Sequence, residues 1–245
     1  MEGGFLDVAR RSLLDNASRC KVVDMSSKSM VTPTRRNSIP LFQNPWLEKL
    51  THVHPIIPLL IWGPVAIALM WHSLSVHPFG ILRFLFLGLS GLITWTLTEY
   101  ILHRFAFHYV PKRNWEKRIV FMMHGIHHDD PDDSTRLVMP PIAAIIFAVI
   151  LWNLFSFILG RSLVEPFFAF FLVGYLCYDY IHFSIHFFKP RTSLGRYLKH
   201  HHMQHHFITH GARWGVSTPL WDWVFGTLPQ TKTRAAHATY QTTQQ

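Results

Sequence analysis

The histidines of this chain are placed as metal ligands are placed. Ten of them fall in four short clusters: His103 and His108 (HxxxxH), His124, His127 and His128 (HxxHH), His182 and His186 (HxxxH), and His202, His205 and His206 (HxxHH again). Neutral imidazole is the commonest protein ligand for zinc, iron and copper. On an α-helix, residues i, i+3 and i+4 share a face. Each HxxHH is therefore expected to converge on one point, and His182 and His186 to share a face. His103 and His108 would diverge on a regular helix. They join a site only if the helix ends or bends near Phe105, or if they serve different ions. One ion takes about four to six ligands, so the ten predict a dinuclear centre.

A lone histidine beside an apolar block is ordinarily an interfacial residue. Four clusters, each at a predicted helix end and all on one side, are not explained that way. His200 and His201 precede His202 directly. His202 is chosen because it completes the same pattern as the middle cluster, which leaves His200 and His201 to the surroundings. Ligating imidazoles usually donate their second N–H to a carboxylate or carbonyl. Glu99, one turn before His103, and Asp179, three residues before His182, are spaced to accept it. Both are acids near apolar blocks, where an unpaired charge is costly. Asp129, Asp130, Asp132 and Asp133 surround Pro131 and are expected to form a polar loop.

The elements that position these residues are apolar. Hydrophobic residues make up 49% of the 245 residues and charged ones only 15%, against about 25% charged in soluble domains. The apolar residues form four blocks, Pro55–Trp71, Ile81–Leu102, Met139–Gly160 and Leu163–Ile181, near the roughly 17–25 residues of a spanning helix. Pro58, Gly63 and Pro64 predict a kink or an earlier start in the first. Short turns at Ser73–Gly80 and Gly160–Ser162 predict two helical hairpins. Lys and Arg number eight before the first block, six in 103–138 and seven after 182, with only Arg161 in the turns. Positive charge marks the cytosolic side, so both termini and all four histidine clusters are expected there. The fold expected is an all-α membrane protein: four transmembrane helices in two hairpins, under a cytosolic helical cap holding the histidine-rich dinuclear site. Residues 1–44 read as a loose or peripheral segment, 45–230 as the catalytic domain and 231–245 as a polar tail.

Several classes are excluded. Two cysteines, Cys20 and Cys177, cannot build a disulfide framework or a Cys-type zinc module. The net charge of +9 is an orientation and lipid-surface signal without a nucleic-acid-binding patch. No flavin, nicotinamide or haem fingerprint occurs, so electrons for any dioxygen chemistry are expected from a separate partner. A transporter would place polar ligands within the bilayer and on both sides, so a zinc-handling protein is the weaker reading.

The ordered series HRFAFH (103–108), HGIHH (124–128), HFSIH (182–186) and HMQHH (202–206) resembles the fatty acid hydroxylase/sterol desaturase superfamily. TEYILHRFAFH (98–108), RLVMPP (136–141), GYLCYDYIHFSIH (174–186) and LWDWVFGTLP (220–229) are similar to the fatty acid 2-hydroxylases. The resemblance covers roughly residues 45–230. It implies a di-iron centre, sometimes carrying zinc when purified, on the ten histidines. It implies dioxygen-dependent hydroxylation at C2 of very long fatty acyl groups, free or in ceramide, with electrons from cytochrome b5 or a similar donor in trans. The compartment implied is the endoplasmic reticulum in a eukaryote and the inner membrane in a bacterium. Tyr178 and Asp179 match a recurrent Tyr-Asp pair and are the candidate catalytic residues, Tyr178 as a hydrogen-bond partner of a substrate carbonyl or a ligand. The chain shows no fused cytochrome b5-like module. It has ArgTrpGly at 213–215 where the 2-hydroxylases more often have a Gly-Phe-Gly-like run. Other lipid oxidations of the superfamily, namely desaturation and sterol or carotenoid oxidation, are the nearest alternatives.

Overall fold

The computed structural model describes residues 38–77 and 80–229, and these form helices and loops with no strand. In chain order the helices are α1 (Pro45–Leu50), α2 (Ile57–Val76), α3 (Ile81–Ile101), α4 (Asn114–Val120), α5 (Ile126–Asp129), α6 (Pro141–Leu159), α7 (Arg161–Phe187), α8 (Ser193–Phe207) and α9 (Leu220–Val224). Two π-helical turns interrupt this order, Leu102–Phe107 directly after α3 and Phe121–Gly125 directly after α4. Residues 1–37 of the expected 1–44 segment and the expected tail 231–245 lie outside the described residues, as do Cys20 and His237. Residues 38–44 are held to the domain: Leu41 and Phe42 each donate an N–H to Glu48 Oε2 at 2.8 Å.

Four helices are long and apolar enough to cross a membrane: Ile57–Val76, Ile81–Phe107, Pro141–Leu159 and Arg161–Phe187. The first runs through Pro64 without a break and ends at Val76, past the predicted Trp71. The fourth continues six residues beyond the predicted Ile181, so His182 and His186 lie within it. The α6–α7 turn closes on Gly160 at φ +78°, a left-handed conformation suited to glycine.

Burial ranks these helices. More than half of the apolar window of α7 (56%) is buried inside the protein, against 6% for α6. The outward face of α6, with Phe157 90% exposed, is apolar surface of the kind that faces lipid. These features make the chain an integral membrane protein. α7 is the central post, packed mainly on α3 and α2. Its contact with α3 is close because glycines sit at the crossing. A Cβ on Gly91 would stand 2.1 Å from the Phe167 carbonyl oxygen, and one on Gly174 2.7 Å from Trp95 Cβ. Small residues at crossings are how membrane helices gain packing without a hydrophobic driving force. Aromatic rings fill the remaining space: Trp95 meets Phe171 and Tyr175, both at 5.1 Å.

α3 and α7 both enter the cap by their C-terminal ends, which carries His103, His108, His182 and His186 side by side. The chain then returns over α3. Trp221 Nε1 donates to Thr96 Oγ1 at 3.0 Å, and Phe225 stacks on Tyr100. The loop before α9 is thereby fixed above the end of α3.

Candidate metal centre

The ten clustered histidines gather into two groups. His103, His108, His124, His128 and His205 form the first; His127, His182, His186, His202 and His206 form the second. Within each group, one nitrogen per ring lies within 4.8 Å of all the others. Seven of these imidazoles are buried and three half-buried.

The HxxHH motifs do not converge on one point as their spacing suggests. His124 and His128 serve the first group while His127 turns to the second. His202 and His206 serve the second while His205 turns to the first. At ~100° per residue, i+3 and i+4 stand on opposite sides of residue i, so a helix running between two centres divides them. Each HxxHH thus ties the two groups together.

The five-residue spacing of His103 and His108 is resolved by a π turn. The His108 N–H donates to the His103 carbonyl at 3.2 Å, an i→i+5 bond that brings residue i+5 over residue i. HxxxxH on a π turn does what HxxxH does on the regular helix at His182 and His186. Both pairs enter one group each.

The nitrogens fit a metal better than they fit each other. Nε2 of His202 lies 2.9 Å from that of His182 and 3.0 Å from those of His186 and His206. In the first group, Nε2 of His124 lies 3.1 Å from that of His103 and 3.0 Å from that of His128. An imidazole nitrogen donates one hydrogen or offers one lone pair, so three such approaches to one atom are not three hydrogen bonds. Donors at ~2.1 Å from an ion, the ordinary metal–imidazole distance, stand about 3.0 Å apart when at right angles. Both nitrogens of His127 are buried and lack a hydrogen-bond partner. The groups could each hold a metal ion.

Electrostatics favour the ligand form. Burial first, and neighbouring imidazoles second, hold His108 down at about 3 and His206 at about 2. Burial does the same for His205, at about 4, although its hydrogen bond to Ala212 opposes the shift. His124, His127, His128 and His202 are also pushed below the usual imidazole range, for the same reasons. All seven are neutral at pH 7 and keep a lone pair for a metal.

The supports of the ligands differ from the sequence expectation. Nδ1 of His103 donates to the Trp214 carbonyl at 2.5 Å, and Nδ1 of His205 to the Ala212 carbonyl at 2.8 Å. Glu99 accepts from no histidine among the described residues. Its carboxylate takes the N–H groups of Val216 and Ser217, at 2.6 and 2.9 Å, and the Ser217 hydroxyl. Side chains on a helix lean toward its N-terminus, so Glu99 reaches the returning loop rather than the ring one turn ahead. Asp179 does not accept from His182 either, for Asp179 Oδ2 and His182 Nδ1 both lack partners. Asp179 instead faces the cavity described below. Tyr178 stacks on His182 with ring centroids 5.7 Å apart.

Asp222 was not singled out by sequence reasoning. It is fully buried and accepts from the N–H groups of Trp214 and Gly215, both at 2.8 Å, from Thr227 Oγ1 at 2.6 Å and from His201 Nε2 at 3.2 Å. Burial alone would raise its pKa, but these hydrogen bonds hold it below the usual carboxylate range. Glu99 and Asp222 therefore clamp the 214–217 backbone from two sides. His201 belongs to this clamp and His200, exposed, bonds Gln204 at 2.8 Å. Asp133 caps its own loop by accepting from the Thr135 N–H at 2.9 Å.

A cavity of about 370 Å³ adjoins both groups. Its wall includes His124 and His127, one from each, together with Trp95, Tyr175, Tyr178 and Asp179 from the helix bundle. Leu47 and Leu50 of α1 and Met122 and Met123 of the second π turn also line it. A smaller apolar pocket shares Trp95, Met139, Phe147 and Tyr175 with it and continues between the spans, past Trp62, Ala144 and Phe168. The arrangement brings a largely apolar space to the edge of a histidine-rich centre.

The family model for fatty acid hydroxylases matches residues 88–227. The chain is 38% identical to the dihydroceramide fatty acyl 2-hydroxylase FAH2 of Arabidopsis thaliana, over 79% of this chain and 81% of that protein. It is 40% identical to the fatty acid 2-hydroxylase of Rattus norvegicus, over 58% of this chain and 40% of that protein. It is 37% identical to the ceramide very long chain fatty acid hydroxylase SCS7 of Saccharomyces cerevisiae, over 78% of this chain and 50% of that protein. A solved structure described as full-length scs7p with only its hydroxylase domain visible superimposes with a TM-score of 0.74 at 37% identity, covering 80% of this chain and 74% of that one.

Proposed function

This chain belongs to the fatty acid hydroxylase family, and on that premise we propose that it hydroxylates C2 of long fatty acyl groups carried by membrane lipids, at two metal ions held by the ten histidines. Its relatives are named as fatty acid and ceramide 2-hydroxylases, and a lipid substrate and a membrane setting go with the four apolar helices. One observation carries the reading: the cavity of about 370 Å³ reaches His124 of one histidine group and His127 of the other.

The overall change converts a C–H bond, dioxygen, two electrons and two protons into an alcohol and water. A pair of iron ions, when bound, supplies the redox chemistry that this requires. The native metal in this reading is iron, with zinc a substitute acquired on purification. The residues do the rest. The five imidazoles of each group would hold an ion with neutral nitrogen donors. The Trp214 and Ala212 carbonyls orient His103 and His205, so that Nε2 of each keeps its lone pair. The apolar wall excludes water and aligns an acyl chain. Tyr178, packed on His182, keeps that ring in register.

Electrons come from cytochrome b5 or a similar donor in trans. The lysine and arginine distribution supports both termini and the metal centre on the cytosolic face, with the endoplasmic reticulum as the compartment in a eukaryote and the inner membrane in a bacterium. Residues 45–230 act as the catalytic domain. Expression with a cytochrome reductant, followed by mass spectrometry of the lipids, tests the reading. The expected result is 2-hydroxy acyl lipid from wild type and none from His124→Ala. Iron-loaded wild type that forms no such product contradicts it.

A further inference from the structure

Every N–H from Ala212 to Ser217 has a protein acceptor. Ala212 donates to the Thr209 carbonyl at 3.1 Å and Arg213 to the Thr227 carbonyl at 3.3 Å. Trp214 and Gly215 donate to Asp222, and Val216 and Ser217 to Glu99. Two carbonyls of the same loop face the first histidine group, Ala212 on Nδ1 of His205 and Trp214 on Nδ1 of His103. Those two rings pack together with centroids 4.6 Å apart. The residue between the two carbonyls is Arg213.

Arg213 has φ +64° and is the one non-glycine residue in the left-handed region among the described residues. A Cβ is crowded in that conformation, which glycine adopts freely. The nearby glycines, Gly211 and Gly215, do not take it. Gly215 serves a different need, since a Cβ there would stand 2.0 Å from the Thr218 carbonyl oxygen. Strain of this kind persists only where the surroundings over-determine it, and it collects at functional sites. Here it curls the chain between two carbonyls that close on one pair of rings.

The side chain closes a circuit. Nη1 of Arg213 lies 3.4 Å from Nδ1 of the buried His201. A guanidinium only donates, so Nδ1 accepts and the ring proton sits on Nε2, which donates to Asp222 Oδ2 at 3.2 Å. With the proton on Nδ1 instead, Nε2 would meet the carboxylate lone pair to lone pair. Asp222 in turn holds the N–H groups of Trp214 and Gly215. The guanidinium thus acts, through His201 and Asp222, on the two peptides that follow its own backbone.

We propose that Arg213 is the positioning residue of the first histidine group. Its left-handed backbone aims the Ala212 and Trp214 carbonyls at His205 and His103, and its guanidinium fixes that turn through His201 and Asp222. The inference rests on the reading of the two groups as separate metal sites. It applies to the first group alone, because Nδ1 of His127, His182, His202 and His206 in the second has no hydrogen-bond partner.

The test is the zinc affinity of the full chain in detergent, measured by competition with a graded chelator. A His186→Ala background leaves the first-group ion, and a His108→Ala background the second. Arg213→Gly keeps the turn and removes the guanidinium, so first-group zinc should weaken by about tenfold, the lower end of the usual effect of an outer support. Arg213→Ala leaves the Cβ crowded with nothing to hold the turn, and the loss should approach about 100-fold. Second-group zinc should be unmoved by either. Guanidinium chloride, far below denaturing concentration, should restore the Arg213→Gly affinity, where potassium chloride at equal ionic strength does not. A merely structural defect has no such rescue. Unchanged first-group affinity in Arg213→Gly, equal loss at both groups, or no rescue by guanidinium overturns the proposal. Equal affinities of the glycine and alanine variants overturn its backbone part. If Arg213→Ala fails to fold, Arg213→Gly decides. A background chain that holds no zinc before Arg213 is changed contradicts the two-group reading itself, and the proposal falls with it.

Discussion

The Nδ1 atom of His103 bonds the main-chain carbonyl of Trp214, 2.5 Å away and 111 residues along the chain. A carbonyl only accepts, so Nδ1 carries the proton and Nε2 is left with the lone pair. The Trp214 peptide is itself held by Asp222 through its N–H, at 2.8 Å. A carboxylate thus sets the tautomer of a candidate metal ligand through one peptide unit. Loss of such an outer support typically costs 10- to 100-fold in metal affinity. Asp222→Asn should weaken the ion of the first group by about that factor and spare the second. Metal content after dialysis against graded chelator reads this directly. Equal loss of both ions, or of neither, contradicts it.

The division of the histidines predicts stoichiometry. His186→Ala removes a ligand from the second group alone, and His108→Ala one from the first alone. Each variant should retain close to one tightly bound ion per chain where wild type holds two. His186→Ala and His108→Ala should retain different ions, separable by their response to the Asp222→Asn background. Loss of both ions from each variant would show a single shared cage.

The α3–α7 crossing predicts a stability defect far from the metal. A methyl group on Gly91 would stand 2.1 Å from the Phe167 carbonyl oxygen, a backbone atom that cannot swing away. Gly91→Ala should cost about 1–3 kcal/mol, the usual penalty of overpacking, seen as a lower thermal transition in detergent. Gly80→Ala, where the new atom meets nothing within 4 Å, is the control and should be neutral.

Acid should release the metal and weaken the metal-free fold together. Burial, then neighbouring imidazoles, hold His108 at about 3 in the folded protein, and burial chiefly holds His205 at about 4. An exposed imidazole titrates near ~6.5. Between these values the unfolded chain binds protons that the folded one does not, so stability rises with pH there. It should be flat above about pH 7 and fall progressively from about pH 6.5 toward 4. Chemical denaturation of the metal-free protein at a series of pH values checks the slope, and the opposite slope would show these histidines protonated in the fold.

The spans were legible in the sequence because an apolar block of helix length has few other uses. The ten histidines were equally visible, since cluster spacing is a local property. Their assignment to groups was not visible. His127 and His128 are adjacent in the chain yet serve different groups, and the second helix that separates them comes from residues 202–206. The π turn at Leu102–Phe107 was open in the same way. The five-residue spacing showed that a regular helix fails there, without showing what replaces it. Glu99 stands out in the sequence as an acid beside an apolar block, one turn before His103, but its partners Val216 and Ser217 lie 117 and 118 residues away. Asp222 belongs to no histidine cluster and lies outside the apolar blocks, so nothing local marks it. Only the return of the 212–227 segment over α3 gives it a task.

The central claim joins the two histidine groups to one reaction at one carbon. The most direct test is the product of an iron-loaded, reductant-coupled enzyme given an N-acyl lipid deuterated at C2. The account predicts a 2-hydroxy product that has lost one deuterium and gained one oxygen atom from labelled dioxygen, with no product from His186→Ala or His108→Ala. Oxygen insertion at another carbon, a desaturated product, or label derived from water would contradict it.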